Sequence, residues 1–220
     1  MRTRLKVCCI ASVEEARTAV AAGADAVGLV ARMPSGPGPI PDALIAEIAA
    51  TVPPPVATFL LTSETDPAAI VEHVGRCRAN TVQLVDAVPA DAYAGLRRAH
   101  PAVRIVQVIH VEDQDSVEEA RQAASHVDAL LLDSGRPKLA VKELGGTGRV
   151  HDWTLSARIV AESPVPVFLA GGIRADNVAE AIRAVRPYGI DLCSGVRTDG
   201  RLDPAKLAAL VAAMRAADAG

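Results

Sequence analysis

Three features of the 220-residue sequence predict an α/β chain closed into a (β/α)8 barrel. Short runs of Val, Ile and Leu alternate with Ala- and Glu-rich stretches whose apolar residues recur at helical spacing. The alternation is strict through eight pairs, and parallel strands need crossovers of the kind a helix supplies. After the first run, where an open doubly wound sheet carries its Gly-rich nucleotide turn, the chain reads Cys8-Cys9-Ile10-Ala11-Ser12. Closing eight strands removes both sheet edges, so we expect one domain over residues 1–220.

The first apolar run, Leu5–Ile10, predicts a strand. Ser12 then caps a helix over Val13–Ala22, with Glu15 three residues on as in a capping box and Gly23 as its stop. Ala26–Ala31 is the second strand and Pro41–Ala50 the second helix; Val56–Leu61 and Pro67–Arg76 form the third pair. Thr81–Leu84 with Ala90–Ala99, and Arg104–Ile109 with Asp113–Ala124, continue the series. Ala129–Asp133 pairs with Thr154–Ala161, Val165–Ala170 with Asp176–Val185, and Ile190–Ser194 with Asp203–Ala216.

Half of the residues are hydrophobic (50%), 22% are charged and only 2% aromatic, at a net charge of -3. Disorder is excluded by the apolar content, and nucleic acid as a main partner by the charge and the lack of stacking rings. The N-terminal apolar run is too short for an export signal or a membrane span. Cys8, Cys9, Cys77 and Cys193 suit neither a disulfide framework nor a CxxC motif, so reduced thiols in a cytoplasmic protein are expected. Monomer and homodimer are both compatible with a barrel of this size.

Two connections are long, Arg32–Ile40 and Ser134–Asp152, and both follow strand C-termini, the face on which barrels build active sites. Alternation along the first strand places Lys6, Cys8 and Ile10 on one face and Val7 and Cys9 on the other, so one cysteine points into the mouth. Asp133 closes an apolar strand at the same mouth, and Gly145-Gly146-Thr147-Gly148 lies behind it. Gly171 and Gly172 follow the seventh strand, Ser194 and Gly195 the eighth. Loops at those two places commonly hold phosphate through backbone N–H groups. Among His73, His100, His110, His126 and His151 there is no ligand spacing, so no metal is expected. His110 and His151 follow strands and are candidates for the mouth; Cys77 and Trp153 read as packing residues.

Lys6-Val7-Cys8-Cys9-Ile10 resembles the Lys-Ile-Cys-Gly-Ile start of the phosphoribosylanthranilate isomerase family. Gly23–Gly28, Val82-Gln83-Leu84, Leu131–Ser134, Gly145–Gly148, Asp152-Trp153, Leu169–Ile173, Asn177-Val178 and Asp191–Val196 match its further landmarks in order. The resemblance implies a TIM barrel without metal or organic cofactor, acting in tryptophan biosynthesis on a phosphorylated sugar. Its reaction is the Amadori rearrangement of N-(5-phosphoribosyl)anthranilate to an aminoketose. It implies that Cys8 is the general base and Asp133 the general acid, that Arg32, Gln83, Gly146, Gly148 and Asp191 bind substrate, and that Gly171, Gly172, Ser194 and Gly195 bind phosphate. Lys6 is the candidate cation for lowering the Cys8 pKa.

Three places depart from the family pattern. Gly38 stands where an Arg is expected for the anthranilate carboxylate, Val85-Asp86 replaces His-Gly, and Cys193-Ser194-Gly195-Val196-Arg197 replaces Ser-Ser-Gly-Val-Glu. Three alternatives therefore stand beside the isomerase: a diverged paralogue acting on another phosphosugar, a silent phosphate-ligand binder, and a Schiff-base aldolase using Lys6, Lys138 or Lys142.

Overall fold

The computed structural model describes residues 2–137, 139–145, 148 and 150–219. Eight parallel strands close in chain order: β1 (Arg4–Val7), β2 (Ala26–Val30), β3 (Ala57–Thr62), β4 (Thr81–Leu84), β5 (Arg104–His110), β6 (Ala129–Asp133), β7 (Val167–Leu169) and β8 (Gly189–Leu192). β8 pairs back onto β1, with Lys6 opposite Asp191. Helices follow each strand: α1 (Val13–Ala21), α2 (Asp42–Thr51), α3 (Pro67–Cys77), α4 (Ala90–Ala99), α5 (Asp115–Ala124), α6 (Trp153–Glu162), α7 (Val178–Val185) and α8 (Pro204–Ala219). A 3-10 turn at Ser194–Val196 and a small hairpin, β9 (Arg197–Thr198) and β10 (Arg201–Leu202), precede α8.

Two cores follow from the period of two along the strands. Phe59 and Leu61, Val106 and Val108, and Ala129 and Leu131 point into the barrel. Leu60, Ile105, Ile109, Leu130 and Leu132 point outward and pack under the helices. The two phenylalanines fill the interior edge to face, 5.9 Å between centroids, and the Lys6 ammonium sits 5.1 Å from the Phe59 ring. Gly189 makes room for Phe168, because a Cβ there would lie 2.7 Å from its ring. Helix starts behave as their side chains dictate: Ser12 Oγ accepts the Glu15 N–H, Asp66 that of Ala69, and Asp152 that of Thr154. No helix among the described residues is long and apolar enough to cross a membrane.

Boundaries shift where local polar bonds compete with the regular element. Strand β1 stops at Val7 rather than Ile10, since Cys9 takes φ 61°, outside any strand conformation. Helix α7 starts at Val178 rather than Asp176, because Asn177 Oδ1 accepts the Arg174 N–H and holds the preceding turn. Asp113 does the same for Asp115 N–H ahead of α5, and α8 runs on to Ala219.

Truncating Phe59 to Ala empties the barrel axis and removes the ring under Lys6. Urea unfolding should show a loss of about 3–5 kcal/mol.

Candidate active site

Cys8, Gln83, Asp133, Gly148, Gly171, Gly172, Asp191 and Ser194 line one cavity at the C-terminal mouth of the barrel. Three residues assigned to the site differ. Arg32 is exposed and is not among the residues that line the cavity; its carbonyl accepts the Ser63 hydroxyl. Gly195 is not part of the lining but packs behind it, since a Cβ there would stand 2.2 Å from the Ile173 carbonyl oxygen. Gly146 lies outside the described residues, as does Lys138.

The thiol of Cys8 is free and buried. Register places its strand neighbour Lys6 opposite Asp191, and the ammonium lies 2.9 Å from Asp191 Oδ2 with no exposure of its own. Burial opposes the Lys6 charge, yet Asp191 and Cys8 outweigh it and raise its pKa. The amine is therefore a fixed cation beside the thiol rather than a free nucleophile, which removes it as a Schiff-base lysine. Lys142 is likewise engaged, by the Asp86 carboxylate. Burial pushes the Cys8 thiol up to about 11; Lys6 pulls it down, Asp191 pushes it up, and Arg197 also lowers it. Gly28 on β2 leaves the space that the sulfur occupies, because a Cβ there would come within 2.7 Å of Sγ.

Across the mouth, burial raises the Asp133 carboxyl above the ordinary carboxylate range, against the Ser134 N–H at 2.7 Å and nearby His110. Gly145, at φ 132°, passes directly over it: a side chain there would meet Asp133 Oδ2 at 2.5 Å. Gln83 Oε1 and Asp191 Oδ1 are buried acceptors at this cavity without a partner among the described residues. His110 lines no part of the cavity and donates from Nε2 to the Val85 carbonyl at 2.9 Å. His151 bonds Ser156 on α6 instead of reaching the mouth, and burial lowers its pKa to about 4.

The expectation of four reduced thiols is overturned. Cys9 and Cys193 form a disulfide, Cα atoms 5.9 Å apart, across a sequence separation of 184. Both also line the cavity, contrary to the facing expected for Cys9, because strand alternation has ended before the left-handed Cys9. The same side chain accounts for Gly38. A Cβ at residue 38 would stand 2.7 Å from Cys9 Cβ, and φ there is 85°. The two long loops meet over the mouth, where Ser35 Oγ donates to the Lys142 carbonyl at 2.6 Å.

Outside the barrel, Asp42, His73 and Cys77 bring ligand-type atoms within 4.8 Å of one another. His73 and Cys77 stand at i,i+4 on α3, a spacing that the histidines do not show among themselves. Both ring nitrogens of His73 are engaged, by Thr62 and Asp42, and Arg76 holds the other Asp42 oxygen. The group stitches β3, α2 and α3 together.

The closed barrel, with a buried acid, a thiol and glycine-bearing loops converging on one mouth, defines a (β/α)8-barrel isomerase. A family model described as N-(5'phosphoribosyl)anthranilate (PRA) isomerase matches residues 5–213. The chain belongs to this family. It is 37% identical over 199 residues to the N-(5'-phosphoribosyl)anthranilate isomerase of Methanocella arvoryzae, covering 90% of this chain and 91% of that one. A Haloferax volcanii protein of the same name is 37% identical, covering 98% and 94%. Among solved structures, phosphoribosyl anthranilate isomerase from Thermus thermophilus superposes with a TM-score of 0.81 at 28% identity, covering 97% and 99%. The enzyme in complex with reduced 1-(o-carboxyphenylamino)-1-deoxyribulose 5-phosphate gives 0.79 at 25%, with the same coverage.

Non-reducing digestion should release one peptide pair joined through Cys9 and Cys193, with Cys8 and Cys77 carrying an alkylating label. A linkage through Cys8 would contradict the arrangement.

Proposed function

We infer that Cys8 and Asp133 are the base and acid of an Amadori rearrangement that converts N-(5'-phosphoribosyl)anthranilate into its 1-deoxyribulose 5-phosphate aminoketose. The observation that carries this is their convergence on one cavity, the acid's pKa raised by burial and the thiol set beside a fixed cation. Protonated Asp133 donates to the furanose ring oxygen as the ring opens, and the nitrogen lone pair forms the Schiff base at C1. The Cys8 thiolate removes the C2 proton, giving an enolamine that tautomerises to the ketone. Lys6 stabilises that thiolate through charge.

The phosphate is assigned to Gly171, Gly172 and Ser194. Positive φ values of 82° and 64° at the two glycines allow the main chain to approach an anion, and Gly195 supports them by close packing on Ile173. Gln83, Asp191 and Gly148 are assigned to the sugar and aglycone. Among the described lining residues there is no Arg or Lys, so Arg32 drops out of the substrate-binding set. A cytoplasmic location is part of the same reading, supported by its place in amino-acid biosynthesis.

Cys8→Ala and Asp133→Asn should each reduce kcat by about 10²–10⁴-fold with the fold retained, read by isomerisation of the enzymatically generated substrate. Wild-type turnover by either folded variant would refute the assignment. For wild type, kcat/KM should rise as pH passes the Asp133 pKa and fall as it passes that of the thiol, because only the singly protonated pair supplies both an acid and a base. The residual rate of Asp133→Asn should instead climb with pH toward the thiol pKa, with no falling limb.

A further inference from the structure

Arg197, the residue at which the chain departs from the family's Ser-Ser-Gly-Val-Glu pattern, is 8% exposed; both terminal guanidinium nitrogens are engaged, while its buried Nε has no partner among the described residues. Nη1 and Nη2 each lie 3.2 Å from one Glu15 carboxylate oxygen, and Nη1 donates to the Gly200 carbonyl at 2.9 Å. Nη2 also donates to the carbonyls of Cys8, at 3.2 Å, and of Cys9. Glu15 is held in turn by the N–H groups of Ala11 at 3.0 Å and Leu202 at 2.9 Å. One part-buried ion pair therefore ties the turn after β1, the start of α1 and the β9–β10 hairpin together around the main chain of Cys8.

That turn needs such a brace. Cys9 adopts φ 61° without being glycine, a conformation that costs energy for a side-chain-bearing residue, and its carbonyl is one of the two that Arg197 grips. The charged groups around Cys8 are Lys6 on its own strand, Asp191 on β8 and Arg197 on β9, and Asp133 on β6 shares the cavity. Lys6 is matched by Asp191 and Arg197 by Glu15, so each cation is kept in place by its own counter-ion.

We propose that Arg197 is a positioning residue for Cys8: its guanidinium fixes the Cys8 and Cys9 carbonyls, aims the thiol at the substrate and favours its thiolate. The proposal rests on Cys8 being the base. A planar fork that spans a carboxylate and two carbonyls is a task lysine cannot reproduce, although it keeps the charge.

The test uses Arg197→Lys, which keeps a cation against Glu15, and the double variant Arg197→Gln/Glu15→Gln, which leaves no buried charge unpaired. Folding is checked by circular dichroism and thermal melting. Kinetics are read alongside the pH dependence of Cys8 alkylation by iodoacetamide, followed by mass spectrometry. In Arg197→Lys, kcat should fall about tenfold with KM changed less than about twofold. The alkylation midpoint should move to higher pH in the double variant, where kcat falls further. A folded variant with wild-type kcat and a wild-type alkylation profile would overturn the proposal, as would a lower melting temperature with both unchanged, which marks a purely structural brace. Activity retained by Cys8→Ala would refute the base assignment itself, whereas the alkylation profile still decides whether Arg197 controls the thiol.

Discussion

The hydrogen bonding of β8 back onto β1 is the constraint on which the site depends. It sets Lys6 opposite Asp191 in register, so that a buried ammonium and its counter-ion meet at 2.9 Å beside the thiol of Cys8. It also brings residues 9 and 193 within disulfide reach and swings Arg197 under the carbonyls of Cys8 and Cys9. A slip of one residue along either strand would turn that strand's member of the Lys6–Asp191 pair to the opposite face.

Burying Lys6 and Asp191 together stabilises the fold little, because desolvating two charges consumes most of what their attraction returns. The return is electrostatic. A cation without solvent exposure acts on Cys8 through a medium that screens poorly, and Phe59 beneath it keeps water away from the far side. The other side of the same mouth has no such cation. Asp133 has no salt-bridged cation among the described residues, accepts the Ser134 N–H, and is covered by Gly145, so burial raises its pKa. Burial raises the pKa of both groups, and at Cys8 the neighbouring Lys6 and Arg197 offset part of that rise.

Chemistry at this mouth is held by tight approaches that only small residues permit. Gly28 admits the sulfur, Gly145 crosses the acid, Gly195 rests on Ile173, and Gly38 yields to Cys9. The last of these links two of the departures from the family pattern: with Cys9 bridged to Cys193, the space beside residue 38 is taken. Val85 and Asp86, in place of His-Gly, are used structurally, Val85 as the carbonyl partner of His110 and Asp86 as the anchor of Lys142.

Eight alternating units, their loops, and the positions of Cys8 and Asp133 at strand ends were legible in the sequence, because periodicity and glycine placement are local properties of the chain. Family membership was legible too, through ordered short motifs. What the sequence could not disclose were contacts between residues far apart in number: the Cys9–Cys193 bridge, the Arg197 fork on Glu15, the Asp42–His73–Cys77 cluster, and the exclusion of Arg32 from the cavity. Strand alternation also misplaced Cys9, whose left-handed backbone ends the strand early. Local pattern determined which elements form and which residues stand at their ends. Closure of the barrel alone decided which of those ends meet, because it joins the first strand to the last and no local signal spans that distance.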